Sequence, residues 1–171
     1  METVETLFTK RLRLRPLGFH DRDDMIALQT DPAVMRYYGS GNPLSESQID
    51  IVLDSHIHCR PKGYWAWAVA RADDPACYGQ VTADCIDWRH EQWIELSWLL
   101  VPAMWGQGLA TEAVKAVMHH GVAELGWRKI LAGADVRNTQ SERVMLKNGM
   151  RFVREEADPH GKMRRVCTFI A

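Results

Sequence analysis

Leu99-Leu100-Val101-Pro102-Ala103-Met104-Trp105-Gly106-Gln107-Gly108-Leu109-Ala110-Thr111-Glu112-Ala113 reads as an apolar strand, a glycine-bearing turn and the first turns of an amphipathic helix. A helix N-terminus presents unpaired backbone N–H groups at the positive end of the helix dipole. Glycines at 106 and 108 remove the Cβ atoms that would hold a ligand away from those donors. The stretch predicts a site for a phosphate or pyrophosphate.

On either side, the chain alternates strands and helices. Lys10 to Leu17 alternates apolar and basic residues and ends at a proline, as a half-buried strand does. His20–Gln29 and Ser45–His58 carry helical spacing, the second opened by Ser45 with Gln48 three residues on, a capping-box pattern. Tyr64–Arg71, Tyr78–Trp88 and Gln92–Val101 are rich in β-branched and aromatic residues and are separated by Asp73-Asp74-Pro75 and Arg89-His90-Glu91. They predict an antiparallel meander. A helix over 108–125, a strand over Ile130–Val136, a helix over Thr139–Lys147 and strands at Arg151–Arg154 and Arg164–Ile170 complete the reading. No repeat or interdomain linker interrupts it, so the 171 residues are expected to form one mixed α/β domain over 1–171.

Composition narrows the setting. Hydrophobic residues make up 46% and charged residues 25%, ordinary for a soluble globular chain. No stretch approaches the ~20 apolar residues of a membrane span. The first six residues lack the basic-then-apolar order of a signal peptide, which leads us to expect a cytoplasmic protein with no membrane partner. Cys59, Cys77, Cys85 and Cys167 are far apart and read as reduced thiols. Residues 127–171 hold ten Lys/Arg against five Asp/Glu, while residues 1–126 hold eleven against seventeen. That asymmetry suits an anionic ligand at the back and a cationic one at the front, and it gives no support for nucleic-acid binding.

Three phosphate-binding designs compete for the glycine turn. A Walker A loop needs Gly-Lys-Ser/Thr, which is absent; a dinucleotide fingerprint needs a G-x-G-x-x-G early in a βαβ unit, whereas Gly106-x-Gly108-x-Ala110 follows a meander. The third design is the acyl-coenzyme A turn of the GNAT N-acetyltransferases, which Trp105-Gly106-Gln107-Gly108-Leu109-Ala110 resembles from its second position onward. Arg11-Leu12-Arg13-Leu14-Arg15-Pro16 resembles the opening strand of the ribosomal-protein N-acetyltransferase branch, the RimJ/RimL-like enzymes. Ile94-Glu95-Leu96-Ser97-Trp98, and Asn138-Thr139-Gln140-Ser141 followed by Lys147-Asn148-Gly149-Met150-Arg151-Phe152, are similar to further segments of that branch, in the same order.

The resemblance implies a GNAT fold, with one mixed, mostly antiparallel sheet of about seven strands flanked by about four helices. It implies transfer of an acetyl group from acetyl-CoA, with no metal, directly to an amine. The acceptor would be a protein N-terminus of ribosomal-protein type, or alternatively a small-molecule amine such as an amino acid, polyamine or antibiotic. A non-catalytic acyl-CoA sensor and a nucleotide-binding module are the competing classes, and a homodimer is a further expectation from the family. The cofactor residues it implies are Leu99, Leu100 and Val101 along the pantetheine arm, then Trp105, Gly106, Gln107, Gly108, Leu109, Ala110 and Thr111 around the pyrophosphate, with Asn138 and Ser141 near the thiol.

Two positions depart from the general pattern. Trp105 replaces the arginine or glutamine that begins the motif, and Met145 stands where many members carry the tyrosine that protonates the leaving thiolate. Ser141 is then the candidate acid. The acceptor amine must lose a proton before attack, and Glu95 on the central strand is the first candidate base, ahead of Asp84, Asp87 and His90. A backbone N–H of Leu99 or Leu100 is the expected oxyanion donor. Other residues read as structure: His56, His58 and Cys59 do not share a helix face as metal ligands must. His119 and His120 read as surface partners of a helix C-terminus, and Trp65, Trp67, Trp93 and Trp98 as packing. Trp88, Tyr37 and Tyr38 are the aromatics expected near an acceptor pocket.

Overall fold

A computed structural model describes residues 4–58 and 63–171. Cys59 of the rejected metal reading lies outside the described residues. One eight-stranded sheet runs through the molecule in the order β1-β2-β3-β4-β5-β6-β8-β7. The strands are β1 (Leu7–Phe8), β2 (Leu12–Pro16), β3 (Tyr64–Arg71), β4 (Gly79–Trp88), β5 (Glu91–Leu100), β6 (Lys129–Asp135), β7 (Arg151–Ala157) and β8 (Met163–Ile170). All neighbours are antiparallel except β5 and β6.

The helices are α1 (Arg22–Gln29), α2 (Pro32–Met35), α3 (Glu46–Ile57), α4 (Leu109–Ala123) and α5 (Thr139–Lys147). This is the expected α/β architecture with one strand and one helix more. The additions are the two-residue β1 and the four-residue α2, both too short to show a period in sequence. The Ser45 capping box forms as read: the Ser45 N–H donates to Gln48 Oε1 at 2.9 Å and the Gln48 N–H to Ser45 Oγ at 3.3 Å.

Strand alternation sends each β-residue to one of two layers. On one face Leu12, Leu14, Trp67, Val81, Leu96 and Leu100 pack against Val114, Val117, Val144 and Met145 of α4 and α5. On the other, Ala66, Ala68 and Leu99 pack against Met25, Leu28, Met35, Ile49 and Leu53 of α1–α3. His120 differs from its surface reading. It is buried on the core side of α4, its ring edge-on to Trp67 with centroids 6.3 Å apart, while His119 is exposed. His120 lies three residues after Val117 and so falls on the apolar stripe of α4, whereas His119 falls outside it.

The parallel pairing of β5 with β6 positions the site. The two strands pair only at Ile94↔Ile130 and Glu95↔Leu131. Beyond Glu95 they diverge, leaving Leu96–Leu100 facing Ala132–Asp135 across a fork. The backbone groups of β5 that would have bonded β6 are therefore open to another partner.

Candidate active site

The fork widens into a cleft of about 620 Å³ lined by β5 (Trp98, Leu99, Leu100), the glycine turn, and both ends of α5. That volume is within the usual range of a small-molecule site. Gly106 and Gly108 both adopt left-handed backbone conformations, φ +71° and +75°, which L side chains rarely tolerate. Gly108 is the N-cap residue of α4 and supplies no side-chain cap, so the first-turn amides stay available. A Cβ on Gly106 would meet nothing within 4 Å, so the space beside it is free for a ligand.

The turn is held from behind. Arg11 Nη1 donates to Gln107 O at 2.9 Å, and the same guanidinium pairs with Glu112 Oε2 at 2.6 Å. Glu112 Oε1 accepts from Thr9 Oγ1 at 2.6 Å and from the Arg11 N–H at 3.0 Å. The carboxylate in the first turn of α4 is thus neutralised on the side away from the cleft. Burial alone would raise its pKa, but these bonds outweigh burial and leave it below the ordinary glutamate range. The basic opening strand acts here, through Arg11. Glu112→Ala is expected to lower the free energy of unfolding by about 1–2 kcal/mol, read by chemical denaturation, because it breaks charge-assisted bonds.

Trp105 has a defined role as well. Its Nε1–H donates to Leu100 O at 2.7 Å, tying the turn to the open edge of β5. The Val101 N–H donates to Tyr78 O at 2.9 Å on the β4 side, so alternation turns the Leu99 amide toward β4 and the Leu100 amide toward the fork. Of the two residues expected to offer an oxyanion donor, Leu100 is the one facing open space. Val101 and Gln107 do not line the cleft. Leu99, Leu100, Trp105, Gly106, Gly108, Leu109, Ala110, Thr111, Asn138 and Ser141 do.

Asn138 caps α5: its Oδ1 accepts from the Ser141 N–H at 3.1 Å, fixing both residues at the cleft wall. Asn148 Nδ2 donates to Thr111 O at 3.3 Å and joins the end of α5 to the first turn of α4. Met145 is fully buried in the core beneath α5. The narrow inner end of the fork, about 70 Å³, is lined by Tyr37, Tyr38, Ser97, Gly133, Asn138 and Ser141 among others.

Sequence reasoning did not reach several wall residues. Arg36, Arg137, Arg143 and Lys147 line the cleft and give it a cationic rim. Arg137 is aimed by Asp135, which accepts from its Nε at 2.9 Å and its Nη2 at 2.7 Å; these bonds hold the nearly buried Asp135 carboxyl below its usual pKa. Tyr37 lies between two guanidinium groups, Arg36 at 5.0 Å and Arg137 at 5.6 Å from its ring centroid.

Glu95 sits at the vertex of the fork, on the sheet face covered by α1–α3. Arg164 of β8 donates to its Oε1 at 2.5 Å and to Glu156 Oε1 at 2.9 Å. The guanidinium crosses Gly133, where a Cβ would come within 2.8 Å of Arg164 Cδ. Asp84 stands opposite Glu95 in the β4–β5 register, its pKa raised by burial and by the Glu95 charge. Trp88 is not at the cleft; it packs edge-on against Trp93 at 5.1 Å and donates to Glu156 at 3.2 Å. His56 stacks on Tyr64 and His58 pairs with Asp54, so the two histidines diverge. Among the described residues no group of three or more His, Cys, Asp or Glu is placed to hold a metal, and no helix is long and apolar enough to cross a membrane.

The strand–glycine-turn–helix order that the resemblance implied is present, with Gly108 heading α4 at the open end of β5. Residues 11–151 match the acetyltransferase (GNAT) domain. The chain belongs to the GNAT acetyltransferase family. The uncharacterized N-acetyltransferase YoaA of Bacillus subtilis is 28% identical over 144 residues, 84% of this chain and 81% of that one. Spermidine N-acetyltransferase from Vibrio cholerae, solved with CoA and spermine, superposes with a TM-score of 0.79 at 18% identity, covering 95% of this chain and 96% of that one. RimL, the ribosomal L7/L12 α-N-protein acetyltransferase solved with coenzyme A, superposes with a TM-score of 0.81 at 14% identity, covering 97% and 98%. This acetyltransferase is therefore an acyl-CoA-dependent enzyme of the GNAT type acting on an amine.

Proposed function

We propose that this enzyme uses acetyl-CoA to acetylate a protein N-terminus, as RimJ/RimL-like enzymes do. The observation that carries the donor assignment is the left-handed Gly106/Gly108 turn, which leaves the first amides of α4 free at a cation-rimmed cleft. The residues fit the group. Gly106, Gly108, Leu109, Ala110 and Thr111 would receive the pyrophosphate, Arg143 and Lys147 supply nearby positive charge, and the Leu100 edge would receive the pantetheine arm. Bound acetyl-CoA supplies an activated acetyl thioester. Glu95 is the group proposed to take the amine proton, through Oε2, since Arg164 engages Oε1. The Leu100 amide is proposed to stabilise the developing oxyanion, with Asn138 and Ser141 beside the thioester end.

The acceptor side supports an amine of cationic character. Asp84 and Glu95 are adjacent carboxylates on the sheet face beneath α1–α3, with Arg164 offsetting one of them. The same pair favours a second reading, a polyamine or other small cationic amine. Thermal stabilisation by acetyl-CoA, coenzyme A, ATP and NAD, measured side by side, tests the donor. A ligand at ~100 times its Kd stabilises by about 2.7 kcal/mol. Thiol release with an N-terminal peptide and with spermidine then tests the acceptor. Tight acetyl-CoA binding without thiol release from any amine would replace the transferase reading with that of a sensor, and a preference for ATP or NAD would remove both.

A further inference from the structure

In many family members the proton for the departing thiol comes from a tyrosine on α5, and that position holds Met145, buried in the core. A phenol reaches the fork from the opposite wall. Tyr38 follows α2, fixed by its N–H to Met35 O at 3.0 Å and by its carbonyl, which accepts from the Gly41 N–H at 2.8 Å. Its ring packs against the apolar layer beneath α1–α3 and lines the inner end of the fork with Ser97, Asn138 and Ser141. Tyr38 and Ser97 share the wall of that inner end, and the phenol lies within the field of Glu95. Tyr37 also lines that inner end, with its ring held against Arg36 and Arg137 of the rim.

We propose that Tyr38 is the general acid of the acetyl transfer, donating its hydroxyl proton to the leaving sulfur from the wall opposite α5. This rests on the transferase reading above. The amine nitrogen bonds to the acetyl carbon and the carbon–sulfur bond breaks, the electron pair leaving with sulfur. Tyr38 O–H protonates that sulfur and becomes a phenolate. The proton removed from the amine at Glu95 returns to Tyr38 through Ser97 or water. One N–H and one C–S bond are exchanged for one N–C and one S–H bond, and no other reactant is required.

Phenol chemistry fits the task. An ordinary tyrosine titrates near 10 and a thiol near 8.5, so the donor is protonated at neutral pH and matched to its acceptor. Burial, and then the Glu95 charge, push the Tyr38 phenol higher still, which keeps the proton in place until sulfur develops charge. A serine hydroxyl such as Ser141 would leave an alkoxide, a much stronger base than the thiolate it serves. Ser97 shares the face of β5 with Glu95 two residues away and the inner-fork wall with Tyr38, which suits it to a proton route between them.

The test uses the full chain with acetyl-CoA, thiol release from an N-terminal peptide and spermidine, and three variants. Tyr38→Phe is expected to bind acetyl-CoA within about twofold of wild type and to lose about 10- to 100-fold in kcat. The alkaline limb of the wild-type pH profile should disappear in Tyr38→Phe and persist in Ser141→Ala. Placing 3-fluorotyrosine, nearly isosteric and more acidic, at position 38 should preserve folding and move that limb to lower pH. An unshifted limb with 3-fluorotyrosine, a Tyr38→Phe enzyme with wild-type kcat and profile, or loss of the limb in Ser141→Ala would overturn the proposal. Wild-type protein that binds acetyl-CoA yet releases no thiol would overturn the transferase reading itself, a result distinct from these.

Discussion

Gly108→Trp is expected to abolish stabilisation by acetyl-CoA while leaving a folded protein. For a chain of this size, ~2.7 kcal/mol of ligand stabilisation corresponds to about 5–10 °C in Tm, and the variant should show essentially none of it. Two effects contribute and can be separated. A side chain at φ +75° costs about 1–2 kcal/mol of strain, which lowers the Tm of the free protein. The bulk of the indole is expected to distort the turn and crowd the first amides of α4, which removes the ligand response. Gly108→Ala isolates the first effect, since its Cβ would meet only Arg11 Nη2, at 3.8 Å. It should show the lower Tm in the free state yet keep most of the shift with acetyl-CoA. A Gly108→Trp protein that folds and still responds fully would move the anion site away from the turn.

The glycine turn was legible because a left-handed residue between a strand and a helix leaves a local mark: two glycines at fixed spacing ahead of an apolar-periodic helix. The capping box at Ser45 and Gln48 and the meander over β3–β5 were legible for the same reason, since each is fixed by neighbours in the chain. The cationic rim was not. Arg137 points into the cleft because buried Asp135 two residues earlier grips its guanidinium, while Arg36 arrives from α2 on the other side of the fork. Nothing in the local sequence distinguishes those arginines from solvated ones.

Glu95 shows the same division. Alternation along β5 assigned its face, yet its partner Arg164 lies 69 residues away and is brought to it by β6–β8 pairing and by the missing Cβ of Gly133. Tyr37 and Tyr38 are consecutive and were expected together near the acceptor. Both line the inner fork, but Tyr37 has its ring against the guanidinium groups of the rim while Tyr38 packs on the apolar layer beneath α1–α3. His120 was misread because helix periodicity was applied to the apolar residues alone, and a histidine on the core stripe can pack edge-on to a tryptophan.

Glu95→Gln is expected to lower kcat/KM about 10²- to 10³-fold without unfolding the protein. The amide oxygen can still accept from Arg164 Nη1, so the Arg164 bridge between β5 and Glu156 survives the change. What is lost is the capacity to take a proton. With the carboxylate in place, the enzyme can bind the protonated amine and deprotonate it in the cleft. Without it, only amine already neutral in solution can react, so the acid limb of kcat/KM should shift to higher pH, toward the amine's own titration. Asp84 competes for the role: it faces Glu95 across β4–β5, and its pKa is raised by burial and then by the Glu95 charge. Asp84→Asn separates them. With Glu95 as the base, Asp84→Asn should lower the rate by less than about tenfold and leave the acid limb where it is. An unchanged pH–rate profile in Glu95→Gln, together with a shifted one in Asp84→Asn, would transfer the assignment to β4.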